Sequence, residues 1–305
     1  MKKLLVTGGT VFVSRFIAEY FVSKGDDVYV LNRNTREQSK GVYLINADRH
    51  YLGNQLKEHR FDAVIDVNAY NAHDINTMLD SLGDFHKYIF ISSSAVYPDY
   101  AKQPFDENTE TGLNRHWGKY GIEKIEAESA LLTRLQSGYI IRPPYLYGPM
   151  NNLYRESFVF DCAMQKRPFY LPAKKIDLQF FHVKDLCKLI EKIINSNTAQ
   201  HIINVGNETL ISSKHWVEMC YNVVGEKVNI IEVGENVDIR SYFCFRDYEY
   251  ALNVDIQNKL IAELIPIKKG LEESFAWYID NKDLVLKKPY MFFIDEQLQN
   301  TLHNR

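Results

Sequence analysis

The chain has 305 residues, and its 36 Lys and Arg against 39 Asp and Glu give a formal net charge of −3. A general nucleic-acid binder needs a surplus of cations to displace counterions from phosphates, so this balance argues against a nucleic-acid partner. With 46% hydrophobic and 25% charged residues, the composition is that of a globular protein and excludes disorder as the dominant state.

The cysteines and the apolar runs exclude further classes of protein. The cysteines, at positions 162, 187, 220 and 244, form no C-x-x-C pair, so we expect neither a disulfide framework nor a metal site. No apolar run approaches the roughly 20 residues that span a bilayer. Only three apolar residues follow Met1-Lys2-Lys3, which is too short for a signal peptide. We therefore expect no membrane segment and a location in the cytoplasm.

Short apolar strands alternate with helical segments through the first half of the chain. Such alternation is typical of βαβ units in a parallel sheet that is covered on both faces. The sequence therefore predicts an α/β fold with a Rossmann-type doubly wound parallel sheet. The predicted elements are strands at 4–6, 28–31, 42–45, 63–66 and 88–92, helices at 16–23 and 75–82, and a later strand at 202–205.

The alternation loosens in the second half, where prolines interrupt the chain from Pro143 onward. We expect a Rossmann domain over residues 1–165, to which a strand near 201–206 returns. Residues 166–305 are expected to form a smaller, partly interleaved substrate domain that ends in a tail from Lys287.

A glycine pair follows the first predicted strand and leads into a helix. Glycine at such a turn lets the backbone bend tightly and approach a pyrophosphate, which then lies against the N-terminal amides of the helix. The complete dinucleotide fingerprint has glycine also at the positions of Val11 and Ser14. Gly8 and Gly9 therefore predict a dinucleotide site, with a glycine turn that binds nothing as the alternative.

The residues after the second and third strands bear on the adenosine half of a dinucleotide. A carboxylate after the second strand would bind the ribose 2′-hydroxyl of NAD, whereas Asn32-Arg33 places a cation where NADP carries its 2′-phosphate. Asp48 is placed to accept a hydrogen bond from the adenine amino group. The alternatives are a solvated arginine and an ordinary turn aspartate. The pattern favours NADP over NAD.

The candidate chemical groups come from one strand and one helix. The strand that ends in Ser92, Ser93 and Ser94 brings hydroxyl groups to the carboxyl edge of the sheet, where ligands bind. Tyr120 and Lys124 are four residues apart and share one face of a predicted helix. An adjacent ammonium stabilises a phenolate and lowers a tyrosine pKa from about 10 towards neutrality, so the phenol can act as acid or base. A single Tyr-x-x-x-Lys pair is common by chance. Here the pair follows the glycine turn and the serine strand in the order that a dinucleotide-dependent active site would have.

Two further stretches complete a family pattern. Residues 142–149, Arg-Pro-Pro-Tyr-Leu-Tyr-Gly-Pro, and residues 181–186, Phe-His-Val-Lys-Asp-Leu, precede Asn204-Val205-Gly206. With the glycine turn and the Ser and Tyr-Lys motifs, they resemble the extended short-chain dehydrogenase/reductase superfamily, in its NAD-dependent epimerase/dehydratase branch. The similarity covers most of the chain except the tail.

The resemblance implies a role for each matching position. Tyr120 would be the catalytic acid/base, Lys124 its pKa partner and a ligand of the nicotinamide ribose, and Ser93 the catalytic hydroxyl, with Ser94 a close second. Apart from the resemblance, Ser94, Arg155 and Arg240 are candidate substrate contacts, since a diphosphate-bearing substrate would need cations, although each arginine also fits a plain surface charge. The cofactor would be NAD(P), bound by Gly8, Gly9, Thr10, Val11, Phe12, Val13, Asn32, Arg33, Asp48, Asn68, Ala69, Ser92, Tyr120, Lys124, Pro143 and Tyr145.

Two departures from the family pattern narrow the function. Sugar 4,6-dehydratases carry an Asp-Glu pair after the catalytic hydroxyl, where this chain has Ser94-Ala95, so a dehydratase is not expected. The missing glycines and Asn32-Arg33 resemble an atypical branch that includes chloroplast stem-loop-binding proteins and isoflavone-reductase-like sequences. We therefore predict a sugar-nucleotide epimerase or reductase that acts on a small-molecule nucleotide sugar, as a possible homodimer. The alternatives are a non-catalytic dinucleotide-binding or RNA-associated protein and an NADP-dependent reductase of a non-sugar carbonyl compound.

Overall fold

A computed structural model of the chain describes residues 1–299. Residues 300–305, the end of the second predicted domain and its tail, lie outside this description. The strands are β1 (Lys3–Thr7), β2 (Asp27–Asn32), β3 (Val42–Asn46), β4 (Phe61–Asp66), β5 (Phe85–Ile91), β6 (Tyr139–Arg142), β7 (Tyr145–Tyr147), β8 (Phe169–Pro172), β9 (Asp177–Leu178), β10 (Phe180–His182), β11 (Ile202–Asn204), β12 (Ile211–Ser212) and β13 (Ile230–Val233).

Helices follow the strands as the alternation predicts, and local contacts determine the residue at which a helix begins. Helix α2 begins at Ala72, earlier than predicted, because the Asn71 side chain caps it by accepting the Asp74 N–H at 3.1 Å. The helices are α1 (Phe12–Ser23), α2 (Ala72–Ser81), α3 (Lys119–Arg134), α4 (Glu156–Met164), α5 (Val183–Asn195), α6 (Ser213–Val224), α7 (Asp255–Leu260), α8 (Ile267–Asp280) and α9 (Tyr290–Phe293), which continues as a π-helix over Ile294–Gln299.

A seven-stranded parallel sheet in the order β11-β6-β5-β4-β1-β2-β3 forms the centre of the Rossmann part. Its strands are nearly continuous apolar runs because helices cover both faces. Ile17 of α1 and Leu186 of α5 pack on one face with Val6. Ile75 of α2 and Leu131 of α3 pack on the other face with Leu5. The predicted doubly wound fold is confirmed.

The chain divides into two compact units. Unit 1 comprises residues 1–146, 180–208 and 251–264, and unit 2 comprises residues 147–179, 209–250 and those from 265 onward. The sequence-based boundary at residue 165 differs from this division, since the chain leaves unit 1 after Leu146 and re-enters it twice. Strand β11 pairs with β6 in the unit 1 sheet, and the short α7 belongs to the second return.

Unit 2 has its own small core and a buried carboxylate. Strand β8 pairs in parallel with β13, and α4, α6 and α8 pack against one another. Asp161 of α4 accepts hydrogen bonds of 2.7 Å from the phenols of Tyr154 and Tyr278. Lys287 lies 3.3 Å from the same carboxylate, so this group fixes the start of the C-terminal segment to α4.

Within residues 1–299 no helix combines the length and the apolar character that a membrane crossing requires.

The strand order reverses between β1 and β4, and in open α/β sheets ligands bind at the carboxyl ends of the strands at such a reversal. A buried polar cluster lies directly there. Thr7 donates to Asp66 at 2.8 Å and accepts the Val67 N–H at 2.9 Å. Arg49 donates to both Asp66 carboxylate oxygens at 3.0 Å, and the Tyr88 phenol donates to one of them at 2.6 Å. This cluster holds the two strand ends in register where a ligand is expected.

We predict that Asp66→Asn lowers the free energy of unfolding by about 3–5 kcal/mol, because the buried Arg49 guanidinium loses its counter-charge. Burial disfavours the charged carboxylate, but the Arg49 guanidinium beside it holds the pKa of Asp66 below its ordinary value of 3.8. This stabilisation is complete above that ordinary value and is lost as the pH falls towards the folded pKa. Urea unfolding as a function of pH should therefore show the difference between the two proteins shrinking in acid.

The matched control is Asp84→Asn. Asp84 pairs with Arg60 at 3.2 Å on the surface, with both side chains at least 79% exposed. An exposed pair of this kind contributes about 1 kcal/mol or less. Equal destabilisation by the two substitutions would contradict the assignment of Asp66 as a buried, charged anchor.

Candidate active site

The glycine turn between β1 and α1 leaves no room for side chains. Gly8 has a φ of +90° and Gly9 a φ of +86°, a region that side chains rarely adopt. A Cβ atom on Gly9 would lie 2.5 Å from Cγ1 of Val30 on β2. Val11 caps α1 without a side-chain hydrogen bond, so the first amides of the helix face the turn with no side-chain acceptor. Such a close backbone approach and a helix N-terminus together fit a pyrophosphate.

Ser14 stands where the complete fingerprint has a glycine, and the structure shows how it fits. Its hydroxyl donates to the Val11 carbonyl at 3.0 Å inside the first turn of α1. A Cβ on Gly8 would lie 2.8 Å from this hydroxyl, so the missing Cβ of Gly8 provides the space that Ser14 occupies. The turn therefore keeps its tight geometry without the third glycine. Thr10, Phe12 and Val13 lie in or directly after it, and Phe12 itself has a φ of +33°.

Of the predicted adenosine ligands, Asn32 has a structural role, and Arg33 and Asp48 form a pair at the surface. The Asn32 amide donates to the Gly8 carbonyl at 2.7 Å and accepts the Asn34 N–H at 2.9 Å, so it fixes the glycine turn. Arg33 is 70% exposed, with its guanidinium 4.0 Å from the Asp48 carboxylate. Asp48 also accepts the His50 N–H at 3.0 Å. The structure thus brings Arg33 and Asp48 together at the edge of the site.

Lys124 of α3 is buried at the carboxyl ends of β4 and β5. It is 3% exposed, and its Nζ donates to the Ala69 carbonyl at 2.7 Å and to the Ile91 carbonyl at 3.1 Å. The ammonium lies 6.0 Å from the ring centre of Tyr120. Burial lowers the pKa of Lys124 to about 8, while the nearby carboxylates Asp66 and Glu128 favour its charged form. At neutral pH the site therefore holds a cation beside the Tyr120 ring.

The turn that carries Ser93 lies against the helix that carries Tyr120. Ser93 accepts the Ala95 N–H at 3.2 Å and so caps a short 3-10 turn over Ser94–Val96. A Cβ on Gly121 would lie 2.5 Å from the Ala95 carbonyl oxygen. Gly121 thus lets the first turn of α3 approach this 3-10 turn more closely than any side chain would permit. The Ser94 N–H donates to the Pro143 carbonyl at 3.0 Å, which ties the same turn to the end of β6.

Ser92 belongs to a second buried network rather than to an open surface. Its hydroxyl donates to Glu128 at 2.5 Å, and Glu128 binds Arg142 through both carboxylate oxygens. Arg142 donates onward to the Tyr97 phenol at 2.8 Å. Burial of that phenol raises the pKa of Tyr97 to about 12. This network fixes the strand end beneath Ser93.

The remaining predicted residues lie in both units. The Asn68 side chain accepts from Arg49 at 2.6 Å, and the Tyr145 ring centre lies 6.1 Å from that of Trp117. Arg155 and Arg240 belong to unit 2. Burial raises the pKa of the Cys244 thiol to about 12, and both arginines act against this rise, so both lie near Cys244.

Arg49 and Gly121 contribute to the site although we did not predict them. Gly121 sits inside the Tyr-x-x-x-Lys motif, and its position directly after Tyr120 is a signal that could have singled it out. Arg49 follows Asp48 in sequence, but only the fold shows that its side chain turns inward to Asp66 and Asn68.

Comparisons with known proteins show which family the chain resembles. A sequence model of the NAD dependent epimerase/dehydratase family matches residues 4–206. The chloroplast stem-loop binding protein of 41 kDa b from Arabidopsis thaliana is 26% identical over 301 residues, which covers 90% of this chain and 78% of the relative. GDP-L-fucose synthase of Escherichia coli is 23% identical over 324 residues, which covers 92% of this chain and 98% of the relative.

Solved structures share the fold at low sequence identity. The dTDP-glucose 4,6-dehydratase of Bacillus anthracis in complex with NAD has a TM-score of 0.74 at 18% identity, covering 93% of this chain and 99% of that one. UDP-glucose 4-epimerase of Thermotoga maritima with UDP-glucose has a TM-score of 0.75 at 14% identity, covering 92% of this chain and 99% of that one. At these identities the likeness establishes the fold.

We predict that Gly9→Ala weakens dinucleotide binding at least tenfold and destabilises the protein, because its Cβ would collide with Val30. Gly25→Ala is the matched control, since Gly25 has a φ of +85° and nothing within 4 Å of the added Cβ. Both variants carry the cost of a left-handed alanine, about 1 kcal/mol, and only Gly9→Ala adds the collision. Calorimetric titration with NAD and NADP measures binding, and equal affinities for the two variants would contradict a cradle at Gly9.

Proposed function

Because the chain belongs to the NAD-dependent epimerase/dehydratase family, we propose that it is an oxidoreductase that acts on a hydroxyl or carbonyl group of a nucleotide sugar. Ser93, Tyr120 and Lys124 would carry the reaction. The observation that carries the proposal is the buried Lys124 ammonium, held by the Ala69 and Ile91 carbonyls beside the Tyr120 ring. A protein that only binds a dinucleotide has no need of this arrangement.

The cofactor in this proposal is NAD(P), which the glycine turn fits because its backbone has no Cβ in the way. Gly8, Gly9 and the first amides of α1 would hold the pyrophosphate, and Lys124 has one N–H bond left for a ribose hydroxyl beyond its two carbonyl acceptors. When bound, the nicotinamide supplies the acceptor or donor of a hydride. Every proton transfer is left to the side chains of this chain.

Tyr120 would exchange a proton with the reacting oxygen of the substrate. The Lys124 ammonium stabilises the phenolate electrostatically, so Tyr120 can remove a proton from a hydroxyl or return one to a carbonyl oxygen. Ser93 would orient that oxygen. Its Oγ accepts from Ala95, which leaves its own proton available to donate to the substrate. If a hydride returned to the opposite face of the resulting ketone while Tyr120 returned the proton to its oxygen, the sugar would be epimerised. Release of the ketone before that return would give net oxidation, and the reverse reaction, with a proton from Tyr120 and a hydride added to a ketone, would give net reduction.

Substrate recognition is proposed for the cations of unit 2. Arg155 and Arg240 would bind the phosphates of a nucleotide sugar, since a guanidinium matches phosphate geometry. The net charge of −3 means that attraction for such a ligand comes from placed arginines rather than from the whole surface. A non-sugar carbonyl compound is the alternative substrate for the same three catalytic residues. A homodimer and a cytoplasmic location stay predictions.

The likeness to a stem-loop binding protein supports one second candidate, a dinucleotide-binding protein that is associated with RNA. The overall negative charge weakens this candidate, because RNA binding depends on cations. The catalytic trio is the feature that separates the two proposals, since RNA binding would be indifferent to the loss of the Tyr120 hydroxyl.

We predict that Tyr120→Phe lowers kcat by about 10²–10⁴-fold, because it removes the acid/base hydroxyl, and leaves the affinity for NAD(P) within about twofold. Turnover is measured with UDP-, GDP- and dTDP-sugars, by absorbance of the reduced nicotinamide for net oxidation or reduction and by the identity of the product sugar for epimerisation. Tyr43→Phe is the control, since Tyr43 lies half exposed near the amino end of β3, away from the carboxyl ends of the strands. Equal turnover by wild type and Tyr120→Phe would overturn the proposed mechanism.

We also propose a preference for NADP, which rests on Arg33 at the end of β2. Its guanidinium is 70% exposed beside Asp48 and can receive a 2′-phosphate. Arg33→Ala should weaken NADP binding about tenfold and leave NAD binding unchanged. Arg60→Ala, which removes an exposed arginine just before β4, should alter neither. An unchanged ratio of NADP to NAD affinity in Arg33→Ala would rule out this preference.

A further inference from the structure

Three aromatic rings surround the buried ammonium of Lys124. Its Nζ lies 4.7 Å from the ring centre of Phe90, 5.3 Å from that of Tyr70 and 6.0 Å from that of Tyr120. Each distance is within the range at which a cation is attracted to the face of an aromatic ring. With the Ala69 and Ile91 carbonyls, these rings form an enclosure around the charge, which we call the lysine cage.

The three rings differ in how they meet the solvent. Phe90 is fully buried in β5, and Tyr120 is half buried on α3. Tyr70 is 54% exposed, although the ammonium behind it belongs to a side chain that is only 3% exposed. Tyr70 is therefore the most exposed of the three rings, and we call its ring the outer wall of the lysine cage.

Two hydrogen bonds hold this outer wall in place. The Tyr70 N–H donates to the buried Asp74 carboxylate at 2.7 Å, and the carbonyl of the preceding Ala69 accepts from Lys124 at 2.7 Å. The loop between β4 and α2 is thus tied to α2 on one side and to Lys124 on the other. The ring is carried by ordered backbone rather than by a loose surface loop.

We propose that Tyr70 is a positioning residue for the reaction, acting through Lys124: its ring keeps water from the ammonium and holds it against the Ala69 and Ile91 carbonyls, where it can stabilise the Tyr120 phenolate. This inference rests on the proposed function for its catalytic meaning, but the shielding of Lys124 is a property of the protein alone. A ring on which a cation rests excludes water without offering a competing hydrogen-bond acceptor.

The charges around Lys124 determine what the loss of the ring should do. Asp66 at the end of β4, Glu128 on α3 and Asp74 on α2 favour the ammonium, and Arg49 opposes it. Burial outweighs them and lowers the pKa of Lys124 to about 8. The Tyr70 ring also attracts the cation, but as the outer wall its larger effect is to exclude water. Removal of the ring should therefore hydrate the ammonium and raise its pKa towards the ordinary value.

The test is a titration of Lys124 by NMR in protein labelled with ¹³C-lysine, with the resonance assigned by its loss in Lys124→Arg. In Tyr70→Leu and Tyr70→Gln the pKa of Lys124 should rise by about one pH unit, or tenfold in the ratio of charged to neutral lysine. Tyr70→Phe keeps the ring and should titrate like the wild type. An unchanged or lowered pKa in variants that remain folded by circular dichroism would overturn the proposal. Two different ring-free variants keep the test decisive should one of them fold poorly.

Activity supplies the second readout. The alkaline limb of the kcat/KM profile should move upward in Tyr70→Leu by the same shift that NMR records, and stay in place in Tyr70→Phe. A shift by NMR without a shift in activity would overturn the positioning role. If the wild type turns over no nucleotide sugar or other carbonyl compound, the proposed function fails, whereas the NMR titration still decides whether Tyr70 shields Lys124.

Discussion

The burial of one ammonium group organises this protein's candidate active site. Lys124 reaches from α3 to the carboxyl ends of β4 and β5 and donates to a backbone carbonyl at each. A buried lysine is costly unless acceptors and counter-charges surround it. The structure provides both, through the two carbonyls and through carboxylates on β4, α2 and α3. The position of α3, and with it that of Tyr120, follows from satisfying this one charge.

Two buried ionic clusters flank the ammonium and are each anchored in the sheet. The Asp66–Arg49 pair lies at the end of β4 and binds Thr7 at the end of β1. The Glu128–Arg142 pair lies between α3 and the end of β6 and binds Ser92 at the end of β5. Charged groups in such places cost desolvation energy that only good geometry offsets. They hold the strand ends together, and the proposed proton transfer between Ser93, Tyr120 and a substrate oxygen would require such a fixed edge.

Local patterns in the sequence predicted the fold and the positions of the motifs. The apolar runs of β1 to β5, the glycine pair and the spacing of Tyr120 and Lys124 depend on neighbours in the chain, so they could be predicted without coordinates. The contact of Gly121 with Ala95 could not, because it joins residues on a helix and a separate turn. The orientation of the Arg49 side chain towards Asp66 could not be predicted either, since an arginine beside a loop aspartate is exposed more often than not. The order in which the chain leaves and re-enters unit 1 also depends on long-range packing. The positions of prolines near residue 165 do not predict it.

In the proposed function, Ser93, Tyr120 and Lys124 form a working redox site with a bound dinucleotide. Its most direct test is a single-turnover experiment, in which protein loaded with NADP or NAD is mixed rapidly with stoichiometric nucleotide sugars and the absorbance of the reduced nicotinamide is followed. We expect a transient or lasting absorbance change with at least one sugar, at a rate that falls when Lys124 is replaced by methionine. No dinucleotide binding at millimolar concentration, or no absorbance change with any sugar or carbonyl compound, would contradict it.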